Sequence, residues 1–324
     1  MTTRIVVADI GGTHARFALA KVEKGRVEHL DEPLKMRTAD HASLQMAWEA
    51  FQHHVGGDLP RAAAIAIAAP VRGETIKMTN NPWIIRPSLI AEKLDVDRHL
   101  LINDFAAVAH AVGAAPEDQF LHLCGPDVPL PPTGIVTVIG PGTGLGVALL
   151  LRVDGHTHVL PTEGGHVDFA PLDAVEDRLL ERLRAQHNRV SVERIVAGPG
   201  LRPIMEVLSE REGVAMPSGD DKDLWTLALS GTNSLAAAAL DRFGMCLGAV
   251  AGDMALSHGP GPVVIAGGLG LRIGQRLADI GFGHRFVAKG RYQAMMEQLP
   301  VKLITHPEPG LYGAAAAFAK QHCD

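Results

Sequence analysis

Only three cysteines occur in 324 residues, Cys124, Cys246 and Cys323, and they lie far apart. No disulfide framework and no metal-ligand spacing can be built from them, so a reducing compartment is expected and the localisation reads as cytoplasmic. There is no uninterrupted run of 18 apolar residues, so no membrane span is expected. The apolar run Ile5–Ile10 is too short for a signal peptide and ends in a glycine turn. Positive charge is not in excess either: the net charge is −6, which argues against nucleic acid or an anionic membrane surface as partner. No Walker sequence, with Gly-Lys before Ser or Thr, occurs anywhere in the chain. Low-complexity tracts are missing as well. With 47% hydrophobic and 20% charged residues the chain can bury a sizeable core, and its length favours two domains.

What is present is one device used twice. An apolar strand runs into a Gly/Thr turn at Arg4–Thr13 and again, about 130 residues later, at Gly134–Gly144. Each turn is followed by a second strand, Ala15–Leu19 and Leu145–Leu151. Such turns leave backbone N–H groups free for an anion, and glycine lets that anion approach closely. Two of them suggest two halves gripping one polyphosphate. The second turn, Gly140-Pro-Gly142-Thr143-Gly144-Leu-Gly146, has four glycines in seven residues, but not at dinucleotide-fingerprint spacing. A tight hairpin needing positive φ would account for it equally well.

Elsewhere the chain alternates. The reading is a β-hairpin over 4–30, a helix Ser43–His54, a strand Ala62–Ala69, a turn Asn80-Asn81-Pro82, a helix Pro87–Leu94 and a strand His99–Ile102. Alternating strands and helices argue for an α/β layer. The Pro-rich stretch Gly125–Pro132 reads as a linker or surface loop. Asp173 reads as an N-cap with Glu176 three residues on, opening a helix whose stripe is Val175, Leu179, Leu180 and Leu183. Glu212–Asp223 is loop-like, Asn233–Ala255 is helical, Pro262–Ala266 is a buried strand ending at Gly267-Gly268, and Leu311–Gln321 is a final helix.

Several residues could carry chemistry. Asp9 sits at a strand end before Gly11-Gly12-Thr13, where a carboxylate can hold Mg²⁺ directly or through water. An ordinary hairpin Asp is the plain alternative. Asn103-Asp104 follows a strand, where α/β sheets bind ligands; an amide beside a carboxylate suits polyhydroxy recognition and proton abstraction. Taken alone, the pair reads as a helix cap. Glu163-Gly-Gly-His166-Val-Asp168 packs three ionisable groups around two glycines. His156, His158, His53 and His54 read as solvated turn or helix-end residues. Glu193 alone reads as a helix-start glutamate.

In this order these pieces resemble the bacterial glucokinase family of the actin-like sugar kinase superfamily. The stretches that carry the resemblance are Asp9–Thr13, Leu101–Phe105, Gly140–Gly146, Glu163–Pro171, Ser191–Arg194, Gly198–Leu201, Ile265–Gly268 and Pro309–Gly313. The resemblance implies a two-domain α/β actin-like (ribonuclease H-like) fold with a cleft between domains, 1–114 plus 306–324 forming the small domain and 115–305 the large one. It implies ATP-dependent phosphorylation of D-glucose to glucose 6-phosphate in glycolysis. Asp104 would be general base, and Asn103, Asp104, Glu163, His166 and Glu193 would be sugar ligands. Asp9, Gly11, Gly12, Thr13, Gly140, Gly142, Thr143 and Gly144 would hold phosphates, with Mg²⁺ at Asp9 and Gly267-Gly268 by the adenosine. It also implies a homodimer and a final helix that crosses back to the first domain. His14 stands where the family usually has Asn, which bears on donor choice, and Leu269–Arg272 replaces a frequent proline beside the purine. The zinc-binding cysteine cluster of the related repressor-kinase group has no counterpart here, so no structural zinc is expected. Three rival readings are a kinase for fructose, mannose or an amino sugar, a sugar-sensing regulator, and an actin-like ATPase. No lysine lies in either turn, so metal and backbone would have to stabilise the transferring phosphoryl group.

Overall fold

The structure is a computed structural model that describes residues 2–78 and 81–322. Asn80 of the expected turn and Cys323 lie outside the described residues. The chain forms two compact units, Met1–Ala115 with His306–Asp324, and Pro116–Thr305.

The first unit is built on the strands β1 (Thr3–Ile10), β2 (His14–Glu23), β3 (Arg26–Leu30), β4 (Leu34–Arg37) and β5 (Ala62–Ile67), a separate ribbon β6 (Ile76–Met78) with β7 (Asn81–Ile85), and β8 (Arg98–Asn103). The main sheet runs β3-β2-β1-β5-β8, with β4 extending β2. β1 is antiparallel to β2 and parallel to β5, and β5 is parallel to β8. The second unit contains β9 (Phe120–Cys124), β10 (Gly134–Pro141), β11 (Leu145–Val153), β12 (His156–Thr162), β13 (Val263–Ile265) and β14 (Val301–Ile304). Its sheet runs β12-β11-β10-β13-β14-β9. From the third strand of each meander inward, the two sheets follow one plan: three antiparallel strands, then two parallel ones. The strand–turn–strand device is therefore the start of a duplicated sheet.

Each unit has its own core. In the first, Phe17 stacks on Phe51 with ring centroids 5.5 Å apart on one face of the sheet. On the other face the final helix Pro309–His322 packs its alanines and Phe318 against β1 and β5. It lies so close to the helix Asp104–Ala114 that a Cβ at Gly313 would overlap the Ala107 carbonyl. In the second, the helix Ser234–His258 is long and apolar enough to cross a membrane, but 72% of its most apolar window is buried. It forms the middle of a core with Trp225, Phe282 and Phe286.

Local signals explain most boundaries. Ser43, Asp173 and Asn233 cap their helices with side-chain oxygens, as their residue types dictate. Glu176 does not complete a capping box. Its carboxylate accepts from Leu172 N at 2.8 Å and is buried with Arg242 and Arg285. The expected helix Pro87–Leu94 is a 3₁₀ turn, Pro87–Leu89, followed by one turn of α-helix, Ile90–Lys93. The Pro-rich stretch after Cys124 joins β9 to β10 inside the second unit, so it is a loop and not an interdomain linker.

Candidate active site

In the first unit, β1, β5 and β8 end together: Ile10 pairs with Ile67, and Ile67 with Asn103. Asp104 follows at once as the first residue of the helix Asp104–Ala114. Asn103 is its N-cap, with Oδ1 accepting from Phe105 N and Ala106 N at 3.0 Å each. The cap reading of Asn103 is therefore right. The same amide also donates from Nδ2 to Asp104 Oδ1 at 3.0 Å. That oxygen takes a second bond from Phe105 N at 2.8 Å, and Oδ2 takes neither. One carboxylate oxygen is locked and the other is left available. Burial, and then the nearby Asp9 charge, push the Asp104 carboxyl up to about 6, against the bonds from Phe105 and Asn103.

Asp9 lies opposite Arg16 in the β1–β2 ladder and pairs with its Nη1 at 3.1 Å. Arg16 also reaches Glu308 at 3.4 Å. Burial raises the Asp9 carboxyl above its ordinary value, with Arg16 opposing. A Cβ at Gly310, in the first turn of the final helix, would lie 2.9 Å from Asp9 Oδ2, so only glycine admits that helix here. The turn itself is closed by Gly11 N donating to His14 O at 2.9 Å. It is braced by Thr38 Oγ1 to Gly12 O at 2.8 Å and Asn81 Nδ2 to Gly11 O at 3.3 Å. The Gly12 and Thr13 amides have no acceptor among the described residues.

The second unit repeats this arrangement. Gly142 N closes its turn onto Gly144 O at 2.8 Å, and the Thr143 and Gly144 amides have no acceptor among the described residues. None of these turn glycines has a positive φ, so the hairpin-strain explanation fails. At Gly144 the requirement is proximity: a Cβ there would lie 2.6 Å from Glu193 Oε2. That oxygen accepts from Leu145 N at 2.9 Å, which ties Glu193 to the turn. Gly267 does need its positive φ of 79°, and its Cβ would lie 2.8 Å from Pro141 O. The helix Gly267–Leu277, which has no side-chain cap, thus begins against the second turn. Uncapped helix starts suit anions.

Glu163 precedes the 3₁₀ turn Gly164–His166, and His166 closes it. A Cβ at Gly165 would lie 2.3 Å from Leu145 O, so this turn and Glu193 are both anchored on Leu145. The Asp168–Ser191 bridge and Val192 N to Val167 O at 2.9 Å draw the Glu193 segment alongside. The Glu163 and His166 side chains stay 72% and 58% exposed, open to a ligand, and 3.9 Å apart. Arg189 holds the loop from outside, donating to His166 O at 2.6 Å and pairing with Asp168 at 2.8 Å. Sequence reasoning passed over Arg16, Thr38, Asn81 and Arg189. Only Arg16 carried a signal, since period-2 alternation from Asp9 across a tight turn puts it on the same face. No group of three or more His, Cys, Asp or Glu side chains placed to hold a metal ion occurs among the described residues.

A sheet plan that recurs within one chain, with a glycine turn after its first strand each time, defines the class as the actin-like sugar kinases. Within it, the Glucokinase family model matches residues 6–322. The chain is 57% identical over 320 residues to a glucokinase of Zymomonas mobilis subsp. mobilis, covering 99% of each. Among solved structures, a glucokinase from an Antarctic psychrotroph superposes with a TM-score of 0.83 at 33% identity, covering 97% of this chain and 98% of that one. A Balamuthia mandrillaris glucokinase, solved with glucose, shares the fold at a TM-score of 0.80 and 24% identity, covering 99% and 94%. The chain belongs to the glucokinase family. It is a kinase, and the sugar-sensing regulator and bare ATPase readings are set aside.

Proposed function

We propose that this chain transfers the terminal phosphoryl group of Mg-ATP to the 6-hydroxyl of D-glucose, with Asp104 as general base. The observation that carries the reading is the Asp104 carboxylate: Oδ1 is fixed by Asn103 and Phe105 while Oδ2 takes neither bond. A sugar hydroxyl is too weak an acid to ionise in the ground state, so a carboxylate in hydrogen-bond reach must take its proton as the P–O bond forms. A carboxyl pushed up to about 6 is still ionised near neutrality and is a stronger base than an ordinary one. Asn103 acts by orienting Asp104, because its own carbonyl oxygen is used by the cap. Glu163, His166 and Glu193 offer acceptors and donors to the sugar hydroxyls. The two pairs of free amides, Gly12 with Thr13 and Thr143 with Gly144, would take phosphate oxygens, and the Gly267 helix start would lie near the nucleotide.

Asp9 suits Mg²⁺ held through water, because Arg16 engages only one of its oxygens. Mg²⁺ keeps most of its own water and takes few protein ligands, which fits a lone carboxylate. The ion would neutralise charge on the donor phosphates. Function as a cytoplasmic, glycolytic homodimer rests on family likeness. The test is a coupled assay of ADP release across hexoses, with Asp104→Asn as control. Turnover highest with glucose, and lowered by roughly 10²–10⁴-fold in the variant, is expected. Faster turnover of fructose, mannose or an amino sugar would reassign the substrate.

A further inference from the structure

The glycine turns contain no lysine or arginine. The structure brings cations to the first turn from an element the motif does not include. β4 pairs with the start of β2, placing Arg37 opposite His14 and Lys35 opposite Arg16. Side chains alternate along a strand, so His14, Arg16, Lys35 and Arg37 share one face of this ladder. It is also the face of Asp9, which pairs directly with Arg16. The next residue, Thr38, fixes β4 to the turn through Gly12 O and Thr13 O.

The three cations of this face are not equivalent, and His14 beside them is held neutral. Arg16 is occupied by Asp9 and Glu308. Lys35 and Arg37 are exposed, and among the described residues neither has a salt-bridge partner or a side-chain hydrogen bond. Burial, and then the charges of Lys35, Arg16 and Arg37, lower the His14 pKa. Lys35 lies near enough to the Glu308 carboxylate to favour its ionised form, yet neither Lys35 nor Arg37 is locked in an ion pair, and both stand on the ladder that runs into the two free amides. Exposed cations left unlocked beside free N–H groups are available to an anion.

We infer that Lys35 and Arg37 form a side-chain site for the terminal phosphoryl group of the donor. The inference rests on the reading that the Asp9–Thr13 turn holds phosphate. The terminal group is singled out because Asp9 and Asp104 stand at the same end of the sheet, Asp9 in register through Ala66 with Ile102, two residues before Asp104, beside which the acceptor hydroxyl is proposed to sit. Cations at the Asp9 end therefore meet the phosphoryl that moves. The site recognises charge on a linear triphosphate tail and makes no demand on a nucleoside, so inorganic tripolyphosphate should occupy it.

The experiment compares the full chain with K35Q/R37Q and, separately, Gly12→Pro, which removes one of the two free turn amides. Isothermal titration is run with Mg-ATP, ADP, inorganic tripolyphosphate and glucose. A hydrogen bond to a charged group corresponds to roughly tenfold or more in affinity. K35Q/R37Q should therefore weaken Mg-ATP and tripolyphosphate by about tenfold or more, leave ADP within about threefold, and leave glucose unchanged. The glucose result also reports an intact fold. The loss should shrink at high salt, because exposed charges are screened. Equal loss of ADP and ATP would overturn the assignment to the terminal group. Unchanged ATP affinity in K35Q/R37Q with a loss in Gly12→Pro would sink the cation site but keep the turn. No change in either variant would remove both.

Discussion

At the residue scale the general base proposed at Asp104 would set both activity and a stability cost. Its carboxyl titrates near 6 because burial and the Asp9 charge disfavour ionisation. A general base acts in its ionised form, so under this proposal kcat/KM should rise with pH to a plateau above about 6 and fall below it. Asp104→Asn should lower kcat by roughly 10²–10⁴-fold, the usual loss of a positioned base. A variant that retains parental kcat, or a profile with no acid limb near 6, would remove Asp104 from the mechanism. The same substitution should stabilise the fold. An ionised, desolvated carboxylate costs free energy above its folded pKa, and the cost vanishes below the ordinary value of 3.8, where both states are protonated. Asp104→Asn should thus raise the melting temperature at pH 8, by about 2–4 °C per kcal/mol relieved, and have little effect at pH 4. An unchanged melting temperature at pH 8 would mean that the carboxylate is well solvated. Asn103 shows how far the sequence could be read here. Its residue type pointed to both a cap and a site, and it is a cap whose amide nitrogen also holds the Asp104 carboxylate. The partners of Asp9 were less legible, because Glu308 lies some 300 residues away and arrives only through the final helix.

At the scale of elements, the glycines separate close packing from ligand approach. Gly144→Ala would drive a Cβ into Glu193 and break the bond to Leu145 N. Losing a bond to a charged group costs about 1.5–3 kcal/mol, so both ATP and glucose affinity should fall by roughly ten- to hundred-fold. If titration shows both affinities intact, Glu193 does not couple turn to sugar loop. Gly268 offers the contrast, because no protein atom lies within 4 Å of a Cβ placed there. Gly268→Ala should keep the parental melting temperature yet weaken ATP if the adenosine lies against it; unchanged ATP affinity would move the purine elsewhere. Strand–turn–strand units and caps were legible because each is written within ten residues. Helices Leu201–Glu212 and Asp221–Ser230 escaped notice, although Asp220 and Asp223 form a capping box within the stretch read as loop. Glu176 was misread as a capping residue because its partners, Arg242 and Arg285, come from helices far along the chain. Local rules find where an element starts, but not which distant charge a buried side chain meets.

At the scale of the molecule, the two units have separate cores, so each can melt on its own. The proposed ligands are divided between them: Asp104 belongs to the first unit, and Glu163, His166 and Glu193 to the second. If one sugar engages both sets, it binds only when both units are folded, and so stabilises each by mass action and couples one to the other. Differential scanning calorimetry should show two transitions for the free protein, and saturating glucose should raise both and merge them. The free amides that would take phosphate are divided the same way, Gly12 and Thr13 in one unit and Thr143 and Gly144 in the other. Glucose and nucleotide would then pull on the same equilibrium. Linkage requires that glucose tighten ATP binding by the same factor by which ATP tightens glucose binding, typically five- to 150-fold or about 1–3 kcal/mol. Reciprocal titrations of glucose against a non-hydrolysable ATP analogue measure both factors. If neither affinity responds to the other ligand and the lower transition ignores glucose, the sugar is held by one unit alone. The division of the site between Asp104 and the Glu163–His166 loop would then have to be abandoned.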